Sequence, residues 1–148
     1  MTRLGEIPCP DVTLREASLR LEHYAAPDEL HHFAGHSLLH TDLNNANVIV
    51  ADGVACMVDW GWATRGAAWL DAAYWTIWLI SAGHAPVEAE RWAQRIPAWQ
   101  AATSAGLAAF AAANVRMWNQ IAGAQPDAWT RRMVIAADRW KAHRVSRM

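Results

Sequence analysis

HTDLNNANVIVADGVACMVDWG, residues 40–61, gathers His40, Asp42, Asn47 and Asp59 around a sharp turn. Val48-Ile49-Val50 and Val54-Ala55-Cys56-Met57-Val58 are short β-branched and apolar runs. Between them stands Asp52-Gly53, the pair preferred by a two-residue hairpin turn with positive φ angles. With those two residues as the turn, Asn47 faces Val58, and Asp59 lies diagonally beside Asn47 at about 5–8 Å. An amide oxygen, one or two carboxylates, water and phosphate oxygens form a donor set suited to Mg²⁺. Asp42, in the loop leading into the hairpin, is placed to accept a proton from a substrate hydroxyl. An ordinary polar turn would account for the Asp and Asn residues, but neither for their spacing nor for His40.

The run His40–Asn47 fits the catalytic loop H-x-D-L-x-x-x-N of protein kinases, with Thr41 in place of Arg. Asp59-Trp60-Gly61 fits their metal-binding D-F-G, with Trp in place of Phe. The stretch most resembles the aminoglycoside phosphotransferase/choline kinase-like family of small-molecule kinases. Leu38-Leu39-His40-Thr41-Asp42-Leu43 is similar to that family's hhHGDhxxxN loop, and Val58-Asp59-Trp60-Gly61 to its hhDWxxxxxG strand end. Gly66-Ala67-Ala68-Trp69-Leu70-Asp71 is similar to the GxPxxD run that opens its next helix, although Ala67 and Ala68 replace the usual acidic and Pro residues. The resemblance spans about Leu38 to Ala82. It implies the mostly helical C-terminal lobe of a protein-kinase-like fold. It also implies Asp42 as catalytic base, Asn47 and Asp59 as Mg²⁺ ligands, and His40 and Asp71 as braces of the loop. ATP would be the donor, and the acceptor a small molecule bearing a hydroxyl and an amine.

The bulk numbers bound this reading. A chain of 148 residues is one domain by length, able to bury roughly 68–70% of its unfolded surface. A net charge of −1 gives neither a nucleic-acid footprint nor a basic face drawn to a membrane. Hydrophobic residues make up 53%, with ten Trp, which calls for a substantial core. Cys9 and Cys56 form neither a disulfide framework nor a zinc pattern, and Cys56 is predicted to be a small buried filler. Met1–Pro10 lacks the apolar run of a signal peptide. The most apolar segment, Ala67 to Ile80, is too short to span a bilayer. A reduced, cytoplasmic setting is expected.

Lys141 is the single lysine, and Gly5 and Gly35 are the glycines before His40. Kinases hold the donor phosphates with a lysine on an early strand and a Gly-rich loop, and neither precedes this catalytic loop. The expectation is therefore a catalytic lobe without its nucleotide-clamping partner. A non-catalytic remnant, or one half of a split kinase, are the other readings. The uncovered lobe face predicts a homodimer or a partner chain.

Residues 1–36 read as an N-terminal helical lead-in and residues 37–148 as the kinase-like lobe. Pro8 and Pro10 keep the first ten residues irregular, and Asp11 is placed to cap a helix from Val12 to about Ala25. Pro27–Phe33 reads as a short helix with Pro in its first turn, and Ser37–Leu39 as a strand. His31, His32, His36 and His40 invite a metal reading, but Gly35 interrupts their helix, so His31 and His32 are expected in solvent. From Trp69 to Ser81 the chain is apolar nearly all round, as a central helix is, and Asp71 within it needs partners. A helix over Val87–Gln100 is kinked or ended by Pro97; others follow over Thr103–Ala122 and around Trp129, Met133, Ala136 and Trp140. Glu88, Glu90, Asp127 and Asp138 read as solvated charges. The fold class is α+β: one catalytic hairpin, about residues 48–58, packed against a helical bundle.

Overall fold

The computed structural model of the chain describes residues 7–147. Four helices carry the core: α2 (Leu70–Ser81), α3 (Pro86–Ala93), α4 (Ser104–Ala122) and α5 (Ala128–Val145). Their ends follow local chemistry. Pro86 opens α3, where its missing N–H costs nothing, and the Glu88 carboxylate accepts the free Ala85 N–H at 3.0 Å. Thr103 caps α4 by accepting the Gly106 N–H at 2.9 Å, and Gly123 closes it with φ of 55°. Replacing Thr103 with Ala is expected to lower stability by about 1 kcal/mol, read as a lower urea midpoint at unchanged slope.

Packing follows the apolar stripes. Met133, Ala136, Ala137 and Trp140 recur on the buried face of α5, which lies against both α4 and α2. Phe110 of α4 is fully buried at the hub, with its ring edge-to-face against Phe33, Trp69, Tyr74 and Trp140.

Two small sheets stand on this bundle. β3 (Val48–Ala51) and β4 (Val54–Met57) are antiparallel in the register Val48↔Met57, Ile49↔Cys56, Val50↔Ala55 and Ala51↔Val54. Asp52 (φ 50°) and Gly53 (φ 74°) make the turn, both in the left-handed region the hairpin twist demands. The second sheet has the order β1 (Arg15–Glu16), β5 (Thr64–Gly66), β2 (Ser37–Leu39). β5 runs antiparallel to β2 and parallel to β1. At Gly66 a Cβ would meet Ala17 Cβ at 2.6 Å and Leu39 Cδ1 at 2.9 Å, so this crossing closes only around glycine.

The α+β reading holds, and several details differ from expectation. The helix expected over Val12–Ala25 shrinks to α1 (Ala17–Leu21), because Arg15–Glu16 place their backbone against β5 instead. The helix expected over Val87–Gln100 stops at Ala93. Pro97 holds Ile96 extended (φ −87°, ψ 121°), and a separate 3₁₀ turn follows over Pro97–Ala101. Pro27–Phe33 is 3₁₀ rather than α. Cys56 is exposed, not a buried filler, since it shares with Ile49 the hairpin face turned to solvent. Glu90 is buried at the centre of an ion-pair network rather than solvated. The lead-in before Ile7 lies outside the described residues, within which Pro8 bridges to Ser37. No helix among the described residues is long and apolar enough to cross a membrane.

Candidate functional site

The site is built outward from Asp71, in the first turn of α2 and only 2% exposed. Its two carboxylate oxygens accept the backbone N–H groups of His40 (2.8 Å) and Thr41 (2.9 Å). Burial pushes the Asp71 pKa above the ordinary carboxylate range, while those two N–H donors pull against it. A raised folded-state pKa means that Asp71 contributes most stability below its unfolded pKa and loses it as pH rises through the folded one. Asp71→Asn sets an amide N–H₂ against a backbone N–H and should cost about 1–3 kcal/mol. The stability gap to the wild type should narrow as pH rises, a trend that urea melts across the acid range would measure.

Asp71 holds Thr41 in an uncommon backbone state. Its φ of 62° is a genuine outlier for a β-branched residue, and its Oγ1 donates to the Trp62 carbonyl at 2.7 Å. His40 is fully buried; its Nε2 bonds the Val58 carbonyl at 2.8 Å and its Nδ1 accepts the Asp42 N–H at 3.3 Å. That pairing fixes a neutral ring with the proton on Nε2. The same ring meets Trp60 edge-on at 4.8 Å. His40 and Thr41 therefore fasten residues 40–47 to residues 58–62, two segments joined in sequence only through the hairpin.

Asp42 lies within this frame, half-buried, with both oxygens engaged. Asn44 Nδ2 donates to Oδ1 at 3.0 Å, and Asn47 Nδ2 to Oδ2 at 2.8 Å and to the Asp42 carbonyl at 3.0 Å. Asn47 is buried by this arrangement. An amide has one donor end and one acceptor end. With Nδ2 committed to Asp42, Oδ1 is the end of Asn47 left for a cation. The Val58 N–H donates to the Asn47 carbonyl at 2.9 Å, which sets Asp59 one step beyond the residue facing Asn47. Asp59 is exposed, has φ of 58°, and uses Oδ1 to cap its own turn at the Gly61 N–H, 3.4 Å away.

The structure thus joins His40, Asp42, Asn47 and Asp71 through hydrogen bonds. Asp59 sits at the open end of the ladder, with no hydrogen bond to that group among the described residues. Asn47 Oδ1 and Asp59 are hard oxygen donors, of the kind Mg²⁺ takes together with water and phosphate oxygens rather than a softer metal. Among the described residues there is no group of three or more His, Cys, Asp and Glu placed to hold a metal ion by themselves. His31, from the histidine run, is exposed and bonds the Asp28 carbonyl.

Asp42 also opens on a cavity of about 90 Å³, lined in part by Thr41, Tyr74, Trp78, Trp118 and Trp129. Burial, with the Asp71 charge adding to it, pushes the Tyr74 hydroxyl pKa well up, so that group stays a neutral donor. These aromatic residues come from α2, α4 and α5 and were not singled out from sequence. Each falls on an apolar stripe, where a core ring and a site ring look alike. Asn44, which completes the Asp42 shell, carried no signal beyond its place in the loop. Compared with known protein families, curated proteins and solved structures, the chain finds no match in any of the three.

Proposed function

We propose that this chain is the catalytic lobe of an ATP- and Mg²⁺-dependent phosphotransferase acting on a small-molecule hydroxyl, of the aminoglycoside or choline type. The observation that carries the reading is the Asp42–Asn47 hydrogen-bonded pair, held by His40 and Asp71, with Asp59 one residue past Val58, whose N–H bonds the Asn47 carbonyl. Two residues outside the turn, Thr41 and Asp59, hold left-handed backbone states. Such strain concentrates where side-chain aim matters to function.

In this reading Asp42 orients the acceptor hydroxyl and accepts its proton at the carboxylate. Asn47, through Oδ1, and Asp59 would hold Mg²⁺, whose contribution when bound is to neutralise charge developing on the transferred phosphate. His40 and Asp71 are positioning residues that keep Asp42 at one place relative to the hairpin. The free thiols of Cys9 and Cys56 accord with a reduced, cytoplasmic setting.

A second reading, a binding module of the same fold or one half of a split kinase, is favoured by two observations. The single lysine, Lys141, lies on the last helix. Ile49, Val54 and Cys56 present an exposed apolar hairpin face suited to a covering chain. Calorimetric titration with Mg²⁺-ATP, followed by an assay of transfer to an aminoglycoside and to choline, separates the two. Sub-millimolar binding with transfer supports the phosphotransferase, and the absence of transfer in the presence of binding supports the module. No binding of Mg²⁺-ATP by the chain alone overturns the self-sufficient phosphotransferase and supports the second reading, which lacks the lysine clamp.

A further inference from the structure

A second, much larger cavity of about 840 Å³ lies against the other face of the hairpin. Cross-strand pairs Val48–Met57 and Val50–Ala55 line one side, opposite the face that carries Ile49 and Cys56. Trp75 and Trp78 of α2, Trp92 of α3 and Trp129 of α5 line the rest, so four of the ten Trp turn toward one space. Its volume falls within the range of small-molecule sites, and its walls are mostly apolar with a few polar groups, as such sites are.

The polar groups set the chemistry. Arg95 and Arg132 line the cavity, and no Asp or Glu does. The Arg95 guanidinium lies over the Trp92 ring at 4.3 Å, so it is held at the wall rather than loose in solvent. Asp127, which feels the charge of Arg132, is occupied as the cap of α5 by the Thr130 N–H at 2.6 Å. Two guanidiniums beside an apolar cavity without lining carboxylates match a planar anionic group attached to an apolar body. They oppose a polycation.

We infer that this cavity binds a monomeric anionic amphiphile, with its chain against the four Trp and its carboxylate on Arg95 and Arg132. Neither Asp42 nor Asp59 lines this cavity, although Trp78, Trp129 and Met133 line both it and the small cavity at Asp42.

The test is a titration of the whole chain with dodecanoate, dodecanol and dodecyltrimethylammonium below their micelle thresholds, read by tryptophan fluorescence. Dodecanoate should bind saturably and about tenfold tighter than either other chain, the difference one charged hydrogen-bonding site supplies. Arg95→Gln and Arg132→Gln should each weaken dodecanoate by about fivefold to tenfold and leave dodecanol unchanged. Ala55→Trp, on the exposed hairpin, should fill the cavity and abolish binding of both while thermal unfolding stays as in the wild type. Equal affinity for the three head groups overturns the anion assignment. Dodecanoate binding that survives Ala55→Trp, or a dimer by sedimentation that takes up no dodecanoate, overturns the site.

Discussion

Asp42→Asn is expected to lower the proposed phosphoryl transfer to a hydroxyl acceptor by about 10²–10⁴-fold, the usual share of a positioned general base. The expectation rests on what surrounds the carboxylate. Asn44 and Asn47 each donate one N–H to a different oxygen, and His40 accepts the backbone N–H of Asp42 itself. The carboxylate is therefore held by two local bonds and its backbone by a third, and Asp42 lines the small cavity together with Thr41 and the aromatic residues. An amide at this position is nearly isosteric but cannot accept a proton. Single-turnover transfer from Mg²⁺-ATP to an acceptor is the measurement. Undiminished turnover in the Asn variant would remove Asp42 from the chemistry.

The largest loss of stability should follow Glu90→Ala. Glu90, on α3, accepts the Trp140 indole N–H at 2.8 Å and meets Arg144 Nη1 at 3.3 Å from both oxygens. His143 Nε2 stands 3.6 Å from Oε2, and Arg144 Nη2 donates to Ser104 Oγ at 3.2 Å. This network ties α3, α4 and α5 together in a nearly dry region. Removing the carboxylate leaves a buried guanidinium and an indole N–H without their acceptor, at a cost of about 3–5 kcal/mol. Urea unfolding would report it. Replacing Glu90 and Arg144 together with Leu should recover much of the loss, because the desolvation of both charges then disappears. A loss below about 1 kcal/mol in Glu90→Ala would mean that the pair is solvated.

The hairpin and most helices were readable because their signals are local. Asp52-Gly53 sets the turn and with it the pairing of every residue from Val48 to Met57. Thr103 and Gly123 mark the limits of α4 within the chain's own chemistry. Asp71 was readable for a different reason: an acid inside a helix with no polar face has to be partnered, and its partners proved to be the two N–H groups of the loop.

What was not readable depends on residues far apart in sequence. β1 and β5 are two and three residues long, and only pairing, of β1 with β5 and of β5 with β2, makes them strands. Glu90 sits in PVEAERWA, a segment with the polarity of a solvent-facing helix; its burial is decided by Trp140 and Arg144, some fifty positions later. The Trp residues around the two cavities, and the exposure of Cys56, likewise follow from how α2, α4 and α5 settle against the hairpin. No period in the sequence encodes that.

On the proposed function, the hairpin delivers Asn47 Oδ1 and Asp59 to one cation beside Asp42. Titrating Mn²⁺, as a paramagnetic substitute for Mg²⁺, in the presence of ATP and following its free signal by electron paramagnetic resonance tests this directly. One Mn²⁺-nucleotide site is expected in the wild type, weakened by Asn47→Ala and by Asp59→Asn alike. Identical Mn²⁺ binding in the wild type and both variants would contradict it.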